Sequence, residues 1–250
     1  MGRALIINST DDVPCVAKQF ITGKTLLLCL GEVYMLIINP QFKGLTDNLS
    51  KIKERGNKQN LSTVCSYDFM LNYIDRERIN PDFYAVGEVL SGKALCRIPV
   101  DLTKNIPFPY NRENKTVQFF NFFSSHPFLG SFLAEIERQG CLFALATSGS
   151  IQGTPTCVEL EEAKVLANVL NAKALDLFMD NVQIIVADIP SFRKGFKGSY
   201  PIISFLNQST IEIFRNIKGG PDATYQYLMP YLKDKKINSE LRPKCWGKAK

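Results

Sequence analysis

Two short segments of the chain combine residue types and spacing that suit the binding of an anion. The first is residues 53–58, Lys-Glu-Arg-Gly-Asn-Lys, where Lys53, Arg55 and Lys58 place three cations within six residues. Cations this close repel one another unless an anion or carboxylates lie among them, and phosphate suits a mixture of guanidinium and ammonium groups. The alternative is a solvated helix end whose cations complement the helix dipole.

The second segment is residues 147–155, Thr-Ser-Gly-Ser-Ile-Gln-Gly-Thr-Pro, which follows an apolar run and precedes a helical pattern. Thr147, Ser148 and Ser150 supply hydroxyl groups, and small residues leave the backbone N–H groups accessible. Such donors at the carboxyl end of a strand suit a phosphate or carboxylate ligand. The same composition is also typical of an ordinary tight turn, so neither segment is specific by itself.

Strands and helices are predicted to alternate along the chain and to position these two segments. Apolar runs predict strands at residues 24–30, 33–38, 61–65, 94–98, 116–123, 141–146, 183–188, 200–206 and 210–214. Helical spacing and capping residues predict helices at 46–55, 127–138 and 160–170, the last behind a capping box at 156–159. The alternation predicts an α/β (α+β) fold, a mixed sheet with helices packed on it.

Composition limits the class of protein further. Of the 250 residues, 45% are hydrophobic and 22% are charged, which is typical of a globular chain. No apolar run approaches the length of a membrane span and the start does not resemble a secretory signal, so we expect a cytoplasmic protein with no membrane partner. The seven cysteines include no CxxC pair and His126 is the single histidine, so we expect reduced core thiols and no metal site.

The positive charge is concentrated at the C-terminal end. The net charge is +6, and residues 233–250 hold seven basic against two acidic residues. We expect a domain over residues 1–218 followed by a basic extension over residues 219–250. Basic tails attract polyanions such as RNA through counterion release, although a solvated end with no partner fits the composition equally well.

Taken together, the two segments resemble the motifs of the YrdC-like family, whose enzymes are the threonylcarbamoyl-adenylate synthases. That family has Val-Tyr-Gly-Leu at the end of a strand-turn-strand, then a helix ending in Lys-x-Arg, then Thr-Ser-Ala-Asn-x-Ser-Gly-x-Pro after a buried strand. This chain has Val-Tyr-Met-Leu at 33–36, Lys-Glu-Arg at 53–55 and the hydroxyl-rich segment at 147–155, in the same order. His126 and Pro127 match a His-Pro pair before the last of these motifs. The resemblance covers about residues 20–218.

The resemblance implies a twisted, mixed, open sheet around a concave basic pocket. There, ATP with Mg²⁺, bicarbonate and an amino acid (threonine or another) would give a carbamoyl-adenylate and pyrophosphate for tRNA modification. It implies a substrate site near Glu32 and Tyr34, and assigns no catalytic residue. The residues it implies for nucleotide binding are Lys53, Arg55, Lys58, Thr147, Ser148, Ser150 and Arg215.

Departures from the family pattern leave the function open. Residues 30–32, Leu-Gly-Glu, stand where the family has Thr-Asp-Thr, and Ser150 replaces an asparagine. Glu32 would bring a negative charge near anionic substrates. The retained cations favour an active nucleotidyltransferase, and the alternative is a catalytically degenerate homologue that binds a nucleotide or RNA. A third hypothesis, an interaction surface at the aromatic residues 119–128, is weaker because such residues usually form core.

Overall fold

The computed structural model describes residues 4–29, 33–54, 61–90, 94–121, 127–179, 182–189, 201–215, 226, 228–230, 232–233 and 236–243. The helices with assigned bounds are α1 Val13–Ile21, α2 Leu45–Ile52, α3 Tyr67–Leu71, α4 Phe83–Val89, α5 Pro127–Arg138 and α6 Leu160–Asp176. The strands are β1 Leu5–Ile6, β2 Thr25–Cys29, β3 Tyr34–Ile38, β4 Ser62–Cys65, β5 Leu95–Pro99, β6 Thr116–Asn121, β7 Ala144–Ser148, β8 Ile184–Asp188, β9 Ile202–Ser204, β10 Thr210–Arg215 and β11 Glu240–Pro243. The predicted α/β class is therefore confirmed.

The chain divides into two compact units, and the first comprises residues 1–61 and 127–198. Its strands are ordered β1-β8-β2-β3-β7, with parallel pairing from β1 to β2 and antiparallel pairing from β2 to β7. Every residue of β2 and β3 is buried, so both faces of these strands are covered. Helices α1 and α5 pack together through Phe20 and Phe132, whose rings meet edge to face at 5.6 Å.

The second unit comprises residues 62–126 and 199–250. Its strands are ordered β4-β6-β5-β9-β10-β11, and parallel and antiparallel pairs alternate. Helix α4 covers one face, because the Phe83 ring lies 6.4 Å from that of Phe119 and 5.0 Å from that of Phe205. Strand β11, from the expected C-terminal extension, pairs with β10.

A buried polar cluster fixes the residues that precede β11. The Asp82 carboxylate accepts hydrogen bonds from the backbone N–H of Ser239 at 2.7 Å and of Asn238 at 3.0 Å. Burial alone would raise the pKa of Asp82, but the hydrogen bonds from these two residues outweigh it, and the pKa lies below its ordinary value. Asn80 donates to the Ser239 hydroxyl at 2.8 Å and to a backbone carbonyl at 2.6 Å. The domain boundary at 218 stays a prediction, but residues 238–243 form ordered contacts in the second unit.

Each expected strand is present in the described residues, whereas several helix ends differ from the expectation. Helix α1 was not expected, although its buried residues Val13, Val16, Ala17 and Phe20 have helical spacing. Helix α6 continues to Asp176, six residues beyond its expected end. Its capping box lies three residues later than expected, since Glu162 accepts from the backbone N–H of Glu159.

Several expectations about composition can be compared with the described residues. None of the described helices combines the length and apolar character that crossing a bilayer requires. Cys29, Cys65, Cys96 and Cys141 are buried and Cys15 is exposed. Within the aromatic segment 119–128, Phe119, Phe120 and Phe128 are core residues, and residues 122–126 lie outside the described part.

Candidate functional site

Lys53 is a fully buried cation at the end of α2. The helix packs through Leu45, Leu49 and Ile52, all buried, and Lys53 follows at its C-terminal cap with 0% of its surface exposed. Charged side chains are almost never buried to this degree unless they have polar partners. Its Nζ donates to Thr147 Oγ1 at 3.2 Å and to the Ser148 carbonyl oxygen at 2.5 Å. The ammonium group is therefore held at the carboxyl end of β7.

The main chain around Lys53 is fixed as well. Glu54 adopts a left-handed conformation with φ of 58°, which ends α2 before the expected stop at Gly56. The Glu54 carboxylate pairs with Lys173 of α6 near the surface. The Lys53 carbonyl oxygen accepts from the backbone N–H of Gln152 at 3.2 Å. Both the side chain and the backbone of Lys53 therefore contact the segment after β7.

Residues 147–150, which we call the β7 turn, bring three hydroxyl groups to this cation. The Oγ atoms of Ser148 and Ser150 lie 3.0 Å apart, with Ser148 half-buried and Ser150 only 3% exposed. Thr147 is also buried. An ammonium group beside three hydroxyl groups is an arrangement that suits an oxoanion such as phosphate.

Gly149 allows the β7 turn to approach β3 closely. Its N–H donates to the Tyr34 carbonyl oxygen at 2.9 Å, and a Cβ at this position would lie 2.6 Å from that same oxygen. The Gly149 carbonyl in turn accepts from the N–H of Cys157, whose own carbonyl accepts from the N–H of Tyr34. A side chain here would push the serines away from β3, so the glycine maintains the geometry of the turn.

Tyr34 lies beside the turn, but its hydroxyl points to a different partner. The side chain is fully buried and its O–H donates to Asp188 Oδ1 at 2.5 Å. Asp188 is 2% exposed and ends β8. The sequence reasoning did not identify Asp188, although a signal was present: a lone acidic residue directly follows four apolar residues at the carboxyl end of a strand.

The structure brings together four of the residues expected to bind a nucleotide: Lys53, Thr147, Ser148 and Ser150. Arg55, Lys58 and Glu32 lie outside the described residues. Arg215 is the last residue of β10 in the second unit, and its side chain also lies outside the description. Their roles in binding therefore stay predictions.

Cys157 lies in the loop next to the β7 turn but is not suited to nucleophilic chemistry. Burial, and then the nearby negative charge of Glu162, raise the pKa of this thiol to about 11. It therefore stays protonated at neutral pH, whereas the thiolate is the nucleophile.

The donors of the β7 turn fit a nucleotide better than they fit a metal ion directly. Within the described ranges, no group of three or more His, Cys, Asp or Glu side chains is placed to hold a metal ion. Mg²⁺ in nucleotide sites is commonly held by substrate phosphates together with one or two carboxylates. The ammonium and hydroxyl groups of Lys53, Thr147 and Ser148 would contact phosphate oxygens, and the phosphates would carry the ion.

Comparison with known proteins places the fold in a defined class. No family model and no curated protein matches the sequence. Solved structures do match, and they show the fold of YrdC-like proteins. Sua5 from P. abyssi, solved as a variant, aligns over 99% of this chain and 68% of its own length, with 16% identity and a TM-score of 0.65. E. coli YciO aligns over 90% of this chain and all of its own, with 15% identity and a TM-score of 0.62.

Two further structures of this fold were solved with ligands. P. abyssi Sua5 in complex with L-threonine aligns over 95% of this chain and 66% of its own length, with 13% identity and a TM-score of 0.60. HypF in a phosphate- and nucleotide-bound form aligns over 82% of this chain and 28% of its own length, with 17% identity and a TM-score of 0.58. The resemblance drawn from the short motifs is thus confirmed for the fold.

Proposed function

We propose that the chain is a nucleotidyltransferase of the threonylcarbamoyl-adenylate synthase kind, which acts on ATP, bicarbonate and an amino acid. The observation that supports this most strongly is the fully buried ammonium group of Lys53 at the β7 turn. Burying a cation lowers the stability of the fold. The position of this cation beside a hydroxyl-rich turn therefore favours a role in binding an anionic ligand. The fold shared with Sua5 and with nucleotide-bound HypF supports the same proposal.

The proposed reaction needs charge stabilisation more than covalent catalysis. The amine of the amino acid attacks the carbon of bicarbonate and water leaves, which gives a carbamate. A carbamate oxygen then bonds to the α-phosphorus of ATP while the bond to the β-phosphate oxygen breaks, releasing pyrophosphate. Lys53, with Arg55 and Lys58 from the same sequence segment, would stabilise the charge that develops on the leaving group. Mg²⁺ bound to the phosphates would supply further neutralisation.

The remaining expected residues take supporting roles in this proposal. Thr147, Ser148 and Ser150 would orient phosphate oxygens by hydrogen bonds. Glu32 and Tyr34 would lie near the amino acid, with the Tyr34 ring held in place by the bond to Asp188. The basic residues 233–250 would attract the tRNA that receives the product.

The second candidate function is a homologue that binds a nucleotide or RNA without turnover. It is favoured by the Leu-Gly-Glu at residues 30–32, which lacks the hydroxyls of the family motif, and by Ser150 in place of an asparagine.

Pyrophosphate release separates the two candidates. The chain is incubated with ATP, Mg²⁺, bicarbonate and each of a panel of amino acids, and ATP binding is measured in parallel by calorimetry. The synthase proposal expects release that requires bicarbonate and at least one amino acid. Binding of ATP with no release under any condition would support the second candidate. The absence of ATP binding would contradict the synthase and would leave RNA as the ligand of the second candidate.

A further inference from the structure

Polar residues form a continuous row across the sheet of the second unit. Arg97 on β5 is in register with Gln118 on β6 and with Ser204 on β9, and Ser204 is in register with Glu212 on β10. Residues directly opposite one another on paired strands have side chains on the same face of a sheet. The polar row consists, in strand order, of Ser62, Gln118, Arg97, Ser204, Glu212 and Arg242.

Hydrogen bonds connect the first half of the polar row. Gln118 donates to Ser62 Oγ at 2.7 Å, and its amide oxygen accepts from Arg97 Nη2 at 3.3 Å. The amide orientation of Gln118 is thus fixed from one side by Ser62, and its oxygen is directed to the guanidinium group. An arginine carries five N–H donors in a planar fork, which suits two parallel bonds to an oxoanion.

The polar row lies on the face of the sheet opposite α4. The helix contacts Phe119, which follows Gln118 on β6, and Phe205, which directly follows Ser204 at the end of β9. A polar row on a solvated face would be well exposed. Here, however, Ser62 and Ser204 are 2% and 1% exposed, and Arg97 is only partly exposed. Burial lowers the pKa of Arg97, as expected for a cation that has lost part of its hydration.

The Ser204 hydroxyl is buried and has no hydrogen-bond partner among the described residues. Buried polar groups are nearly always satisfied, so an orphaned hydroxyl in register with an arginine favours a ligand that would accept a hydrogen bond from the hydroxyl beside the positive charge. On the other side of Ser204, the row continues with the Glu212 carboxylate, which would repel an anion. Glu212 is in register with Arg242. The hydrogen bond with Glu240 and its charge, and then the charge of Glu212, raise the pKa of Arg242. The negative charge of Glu212 is therefore partly balanced at the sheet edge.

We propose that Arg97 and Ser204 form a binding subsite for a small oxoanion, a carboxylate or a phosphate. Arg97 supplies the positive charge of the subsite, and Ser204 donates its hydroxyl proton to an oxygen of the anion. Gln118 is a positioning residue that holds the guanidinium group in the plane of the ligand. The subsite belongs to the second unit, and the inference does not rest on the function proposed for the β7 turn.

Thermal unfolding with added anions tests the subsite. Sodium acetate and inorganic phosphate are titrated at constant ionic strength, which is maintained with chloride, and the shift in Tm is recorded. The chain with its natural sequence is expected to gain stability with at least one anion, and the larger shift distinguishes a carboxylate from a phosphate ligand. Arg97→Met and Ser204→Ala are each expected to weaken the apparent affinity for the anion about tenfold or more, because each removes a charge-assisted hydrogen bond.

Three controls make the result decisive. Arg76→Met removes an exposed arginine of the same unit and should leave the shift unchanged. Lys53→Met should weaken any phosphate binding at the β7 turn, so a shift that is undiminished in this variant arises elsewhere. Without added anion, Ser204→Ala should be at least as stable as the parent, because it removes an orphaned hydroxyl; this variant decides the test if Arg97→Met does not fold. Equal anion-dependent shifts in all variants, or none in the parent, would overturn the proposal.

Discussion

Replacing Lys53 with methionine separates a ligand-binding role from a structural one. Methionine keeps most of the length and apolar contacts of the lysine stem and removes the ammonium group. In the structure, that group donates to Thr147 Oγ1 and to the Ser148 carbonyl oxygen inside a fully buried site. The exposed Lys51, on the same helix two residues earlier, provides the matched control as Lys51→Met.

The expected magnitudes follow from these contacts. Each hydrogen bond from a charged donor contributes about 1.5–3 kcal/mol, so losing two costs roughly 3–6 kcal/mol. Removing a buried cation recovers a desolvation penalty of several kcal/mol. The two terms nearly cancel, and we expect the free energy of unfolding to change by no more than about 2 kcal/mol. A phosphate ligand loses one charge-assisted contact worth about 1.5–3 kcal/mol, which weakens binding by roughly 10- to 150-fold.

Two measurements check this expectation. Urea unfolding gives the change in stability, and calorimetry with ATP gives the change in affinity. The combination that supports the reasoning is a large loss of affinity with a small change in stability in Lys53→Met, and neither change in Lys51→Met. If Lys53→Met bound ATP as tightly as the parent, or if both variants lost affinity equally, the assignment of Lys53 to the phosphate would be refuted.

Three further substitutions test the framework around the site and the second unit. Gly149→Ala forces a Cβ to within 2.6 Å of a backbone oxygen of β3 and should lower the free energy of unfolding by about 1–3 kcal/mol. Gly130→Ala in α5 is the control, because the added Cβ meets nothing within 4 Å. In thermal unfolding this control should be neutral or slightly stabilising. Asp82→Asn replaces a carboxylate that accepts two backbone N–H groups, so it should destabilise the protein by about 1–3 kcal/mol at neutral pH. Because the pKa of Asp82 is lowered in the fold, the stabilisation is present above the unfolded value and is lost as pH falls through the folded one; a urea-unfolding difference that persisted undiminished at pH 2 would contradict this. Asn171→Ala removes two hydrogen bonds to the backbone of Ile184 and should cost about 1–3 kcal/mol, while the exposed Asn168→Ala should change the urea midpoint little.

Much of the local structure could be predicted from the sequence because strands and helices follow from patterns within a few residues. The apolar runs that became β2 and β3 are buried on both faces, and such strands are recognisable as continuous hydrophobic segments. Helix ends were less predictable. Glu54 ends α2 in a left-handed conformation that a glutamate seldom adopts. Its carboxylate pairs with Lys173 of α6, which lies 119 residues away in sequence.

The sequence by itself determined the α/β class, the order of the motifs and the hydroxyl-rich turn after β7, since each depends on residues close together in the chain. Only the tertiary structure decided that Lys53 is buried against that turn, that Tyr34 donates to Asp188, and that residues from six strands align in one polar row. These contacts join residues as much as 154 positions apart. Their geometry depends on strand register and helix packing, which arise when the whole sheet forms and which local patterns do not encode.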